Sequence, residues 1–194
     1  MNHTSLLVWM DLEMSGLDPE HSVILEIASV ITDNHLQLVA EGPNLVIHQT
    51  NTILETMDDW NKIHHEASGL IKRVKTSTTT LEEAEETTLK FIQLHCKERE
   101  APLCGNTIGQ DRRFLRKYMP KVENWLHYRN IDVSTLKELI ARWYPEHFDP
   151  PKKGGTHKAV ADIHESIREL LYYKNTFLKD RTPLRENVSA LLDL

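Results

Sequence analysis

Three β-rich runs follow one another within the first 48 residues, at 6–13, 22–32 and 36–48. The second carries Val23, Ile24, Ile27, Val30 and Ile31, and the third is interrupted at Gly42-Pro43. Runs this close leave room for turns but not for crossover helices, so the chain opens with an antiparallel meander. From Thr80 the period changes. Thr80-x-x-Glu83 forms a capping box, and Leu81, Ala84, Leu89, Phe91, Ile92 and Leu94 make a helical apolar stripe. Pro102-Leu103-Cys104-Gly105 reads as a short strand, and a helix from Gln110 to Tyr118 is stopped by Pro120. Residues 130–133 form another strand, and Ser134 or Thr135 caps a helix carrying Leu136, Leu139, Ile140 and Trp143. A proline-rich loop at 144–155 leads into the last helix, from Ala159 to Leu178. A meander followed by alternating strands and helices specifies an α/β protein: a mixed central sheet with an antiparallel start, flanked by helices.

The chain's 194 residues suit one domain, expected to span 1–180 with a short extension at 181–194. A net charge of −6 repels a long polyanion, which argues against binding extended nucleic acid by charge alone. Cys96 and Cys104 supply neither a disulfide framework nor a zinc spacing, and a reducing cytoplasm fits them. The apolar runs are too short to cross a membrane, and the N-terminus lacks the basic region of a secretory signal.

Asp11-x-Glu13 ends the first strand, where a period of two points both carboxylates to one face. Asp111 opens a helix after another strand, and Asp162 sits among Val160, Ala161 and Ile163 on the last helix. Each has a plainer reading: a strand reaching the surface for the pair, an arginine partner for Asp162. Together they form a stronger pattern. Four carboxylates in one cleft repel one another unless divalent cations hold them ionised, and an all-oxygen donor set suits Mg²⁺ or Mn²⁺. Two such ions can clamp the attacking and leaving oxygens of a phosphodiester hydrolysis. His157, at the junction of loop and last helix, would remain a neutral base there, unless it is simply an exposed histidine.

Residues 9–17 (WMDLEMSGL), 105–115 (GNTIGQDRRFL) and 157–163 (HKAVADI) resemble, in order, the three motifs of the DEDDh 3′-to-5′ exonuclease family, and within it the oligoribonuclease branch. The resemblance implies a ribonuclease H-like fold, a homodimer, and hydrolysis of very short RNA, especially dinucleotides, to mononucleotides. By match to the motifs, Asp11, Glu13, Asp111 and Asp162 would bind two divalent cations, Mg²⁺ or Mn²⁺, with His157 as general base. Leu17 and Trp60 would contact the bases, with His65 nearby, although Trp60 reads equally as core. The segment Tyr128 to Thr135 would reach the partner subunit's site. Tyr128 would stack there, while Arg129, Ser134 and Thr135, with Thr107 of the first subunit, would cap the 5′ phosphate. Arg129 and two hydroxyls at a helix start make an anion site in their own right. A DNA exonuclease of the proofreading type shares every carboxylate, and a non-catalytic RNA-binding module shares the fold. Lastly, the acidic run from Glu82 to Glu86 reads as a solvated face, and the pairs Arg112-Arg113 and Lys152-Lys153 read as exposed.

Overall fold

The computed structural model describes residues 6–151 and 159–178. The elements run β1 (Leu7–Met14), β2 (Ile24–Thr32), β3 (Leu38–Val46), α1 (Asn51–Glu55), α2 (Asp59–Ala67), α3 (Leu70–Thr76), α4 (Leu81–His95) and β4 (Pro102–Gly105). They continue α5 (Ile108–Tyr118), α6 (Pro120–Trp125), β5 (His127–Asp132), α7 (Val133–Trp143), a 3₁₀ turn (Pro145–His147) and α8 (Ala159–Thr176). One five-stranded sheet has the order β3-β2-β1-β4-β5. The β1–β2 and β2–β3 pairs are antiparallel, and β1–β4 and β4–β5 are parallel, as a meander feeding crossover units requires.

The pleat of β1 decides where the chemistry sits. Val8, Met10 and Leu12 pack on one face with Ala84 and Ile92 of α4, Phe114 and Leu115 of α5 and Val122 of α6. Leu7 and Trp9 pack on the other with Val133 and Ile140 of α7 and Ile163, Ile167 and Leu170 of α8. Alternation therefore gives Asp11 and Glu13 to the α8 face. All nine residues of β2 are buried, because helices cover both faces at mid-sheet. Among the described residues no helix is long and apolar enough to cross a membrane.

Several expectations need correction. The third strand runs through Gly42-Pro43, because β3 is an edge strand with a bulge there. Ala28 pairs with Asn44 and Val30 with Glu41, so Gly42 and Pro43 together oppose the single residue Ser29. A Cβ on Gly42 would lie 2.4 Å from both the Phe91 ring and the Ser29 hydroxyl, so only glycine fits beneath α4. The three helices at 51–76, five, nine and seven residues long, are not among the expected elements. They close over a small cluster of Leu25, Leu54, Met57, Leu70 and Val74. Pro120 starts α6 as well as stopping α5.

Asp132, rather than Ser134 or Thr135, caps α7, its side chain accepting from the Ser134 N–H at 3.0 Å. Within the supposedly solvated acidic run Glu85 is buried, and its Oε1 accepts the Lys121 N–H at 2.7 Å at the start of α6. Leu94 falls outside the stripe and is exposed. Arg112 is also buried, with Nε 3.1 Å from Glu123 Oε1 and Nη1 2.6 Å from Asn130 Oδ1, so it ties α5 to α6 and β5. The expected boundary at 180/181, Lys152-Lys153 and His157 lie outside the described residues.

Candidate active site

β1 and β4 are parallel, so their C-terminal ends open on the same side of the sheet, the side where open α/β sheets place ligands. Asp11, Glu13 and Asp162 each offer a carboxylate oxygen there, and these oxygens lie within 4.8 Å of one another. Asp111 joins from α5: its Oδ1 accepts the Leu12 N–H at 3.0 Å, between the two β1 acids. Residues far apart in the chain thus meet because the pleat, the α8 face and the β4–α5 turn converge.

The acids of the site repel one another. Burial pushes the Asp11 carboxyl well above the usual carboxylate range, and repulsion from Asp111, Glu13 and Asp162 adds to it. Glu13 is raised to about 7, first by burial and then by Asp162 and Glu26. Asp111 also rises to about 7 through burial, against the pull of the Leu12 hydrogen bond. Clustered oxygens whose ionised form is disfavoured, with no sulfur among them, fit a hard divalent cation.

Around the acids the other expected residues separate into three groups. Leu17 and Trp60 are exposed, at 70% and 63%, so Trp60 is not core. The Leu17 carbonyl is held by the Gln110 side chain, and the Trp60 ring stacks on His64 with centroids 3.8 Å apart. His65 is buried behind β1. Its Nε2 lies 2.9 Å from the Met14 carbonyl, so that nitrogen carries the proton, and its Nδ1 is 3.8 Å from Glu13 Oε2.

The second group is a hydroxyl pair. Thr107 N–H donates to Ser134 Oγ at 2.8 Å and to Asp132 Oδ1 at 3.0 Å, and the Thr107 and Ser134 hydroxyls are 3.0 Å apart. Thr107 sits in the left-handed region at φ 54°, a conformation β-branched residues avoid, and these bonds hold it there. Ser134 meets Thr107 of its own chain because α7 begins beside the β4–α5 turn. Thr135 follows it, exposed.

The third group is Tyr128 and Arg129 on the edge strand β5, both exposed, with the guanidinium 5.3 Å from the Tyr128 ring centre. Sequence reasoning passed over Glu26 and Arg73. Glu26 is wholly buried opposite Glu13 in the sheet, and Arg73 grips both of its oxygens at 2.7 and 2.9 Å. A lone carboxylate between Leu25 and Ile27, in a strand with no other charged residue, was the available signal. Asn106, bonded to Ser134 and to α8, was also unread.

An exonuclease family model matches residues 8–170. Among similar proteins, the oligoribonuclease of Marinobacter nauticus is 54% identical over 179 residues, covering 92% of this chain and 99% of that protein. The oligoribonuclease of Escherichia coli O139:H28 is 54% identical over 173 residues, covering 89% of this chain and 96% of its own. Among solved structures, the zinc-bound E. coli exonuclease I–ssDNA complex superposes with a TM-score of 0.72 at 11% identity, over 91% of this chain. The chain spans about two-fifths of that protein's length, 42%, and the likeness is one of fold: a ribonuclease H-like exonuclease sheet. The match across nearly the whole length places this chain in the oligoribonuclease family of exonucleases.

Proposed function

We propose that this protein hydrolyses very short RNA from its 3′ end, dinucleotides above all, releasing mononucleotides. The observation that carries the reading is the meeting of Asp11, Glu13 and Asp162 within 4.8 Å beside Asp111. In this reading those four acids hold two divalent cations, Mg²⁺ or Mn²⁺. When bound, such a pair supplies charge for the attacking and leaving oxygens of the phosphodiester. His157 takes the proton from the attacking water. His65, fixed between Met14 and Glu13, holds the end of β1 in place.

Substrate affinity has to come from enclosure, because a dinucleotide offers few phosphates and the protein's net charge is −6. Leu17 and Trp60 supply exposed apolar surface for bases, while Thr107, Ser134, Thr135 and Arg129 cap the 5′ phosphate. Tyr128 and Arg129 act across a homodimer interface, a role suited to exposed side chains on an edge strand. The buried thiols of Cys96 and Cys104 suit work in a reducing cytoplasm. The DNA-exonuclease alternative draws on likeness of fold alone, and a non-catalytic module has no use for four acids that repel one another.

The reading is tested by a time course on 5′-phosphorylated RNAs of two to about ten nucleotides, with and without Mg²⁺. Dinucleotides are expected to disappear fastest and only with the ion. Faster loss of longer RNAs, or metal-independent cleavage, contradicts it.

A further inference from the structure

A polar chain joins the two halves of the site. Ser134 Oγ donates to Asn106 Oδ1 at 3.1 Å, and Asn106 Nδ2 donates to Ser166 Oγ at 2.8 Å and Glu169 Oε2 at 3.0 Å. Ser166 in turn donates to the Asp162 carbonyl at 2.9 Å. The bonds therefore run without a gap from Thr107, through Ser134, Asn106 and Ser166, to the backbone of the acid on α8. Glu169 anchors the middle. It is 3% exposed, accepts the Tyr173 hydroxyl at 2.7 Å on Oε1, and lies 3.8 Å from Lys137 of α7. A carboxylate only accepts, so it fixes which end of the Asn106 amide faces it and leaves Oδ1 for Ser134.

We propose that Asn106 is a positioning residue that holds the 5′-phosphate cap at a set distance from the acids on α8, and so lets the enzyme measure a substrate two nucleotides long. The proposal rests on the cap reading above and deepens it. A hydrolase selective for one length must hold the phosphate at one end and the scissile bond at the other in register, and displacement by about 1 Å can cost on the order of a hundredfold. The Asn106 side chain bonds both α7 and α8 at this point.

The test compares kcat/KM on 5′-phosphorylated and 5′-hydroxyl RNA dinucleotides for wild type, N106A, N106D and the double variant N106D/E169Q. Wild type is expected to prefer the phosphorylated substrate. N106A and N106D should each cut that preference by about tenfold, mainly through KM for the phosphorylated substrate, with kcat on the hydroxyl substrate retained. The double variant exchanges amide and carboxylate across the same bond and should restore the preference to within about threefold. An unchanged preference in the single variants, a parallel loss on both substrates, or no recovery in the double variant overturns the proposal. Should N106A fail to fold, S166A removes one acceptor of the same amide and must lower the preference, or the proposal falls. A wild type indifferent to the 5′ phosphate removes the cap reading and this proposal together, whereas a wild type that discriminates while Asn106 variants match it removes the proposal alone.

Discussion

The acid cluster at the end of β1 and the hydroxyl network at the start of α5 and α7 are linked through Asn106 and Ser166, yet they are built on opposite terms. In the first, burial and mutual repulsion lift Asp11, Glu13 and Asp111 above their ordinary range. In the second, Thr107, Ser134, Asn106 and Ser166 pass hydrogen bonds in a closed sequence, and Asp132 serves both the Thr107 and the Ser134 N–H. One region is complete only when positive charge is added. The other is linked throughout by hydrogen bonds, as the proposed ruler requires. Changes to the acids should therefore act on turnover and on response to metal, and changes to the network on the choice of substrate.

Asp11→Asn separates these terms most sharply. It should lower kcat by at least about a thousandfold, while the metal-free protein unfolds at the same temperature or higher, since a repelling charge is gone. Loss of stability without loss of activity would remove Asp11 from the chemistry. Arg129→Ala should reduce kcat/KM on the 5′-phosphorylated dinucleotide by roughly ten- to a hundredfold, the worth of a charge-assisted contact, and much less on the 5′-hydroxyl substrate. Equal effects on both would take Arg129 out of the cap.

The pH dependence of stability has a definite sign. Glu13 and Asp111, raised to about 7, bind protons more tightly folded than unfolded. Their contribution is present at acid pH and is lost as pH rises from about 4 to about 7, then stays flat. Metal-free protein should accordingly lose on the order of 5 °C in Tm across that range, and Mn²⁺ should reverse the trend. A Tm that climbs with pH in chelator would show that the acids are already neutralised within the fold. Thr107→Ser keeps the hydroxyl and relieves the crowded left-handed backbone, so activity should stay within about twofold, whereas Thr107→Val should lower the preference for a 5′ phosphate.

The same contrast explains what the chain disclosed before folding. The acids were legible only together: a period of two points Asp11 and Glu13 to one face of β1, and the motifs around them, Asp111 and Asp162 resemble, in order, those of one exonuclease family. Glu85 and Arg112 were not, since a charged residue in a polar stretch looks solvated until its partner arrives from another element, Lys121 and Glu123 respectively, and Glu26 was not, since only the fold brings Arg73 to it. The helices at 51–76 were missed because they are short and close over few apolar residues. The edge position of β3, which lets Pro43 remain in a strand, is a fact of topology and not of local sequence. Ser134 and Thr135 looked like caps by type, and Asp132 takes that place, its Oδ1 accepting both the Ser134 and the Thr107 N–H.

The central claim is that these four acids meet in order to hold divalent cations. Thermal unfolding at pH 8 during a Mn²⁺ titration tests it most directly, on wild type and on Asp11→Asn side by side. A saturable rise in Tm for wild type that the variant loses is the predicted result. An identical rise in both, or none in wild type, would contradict it.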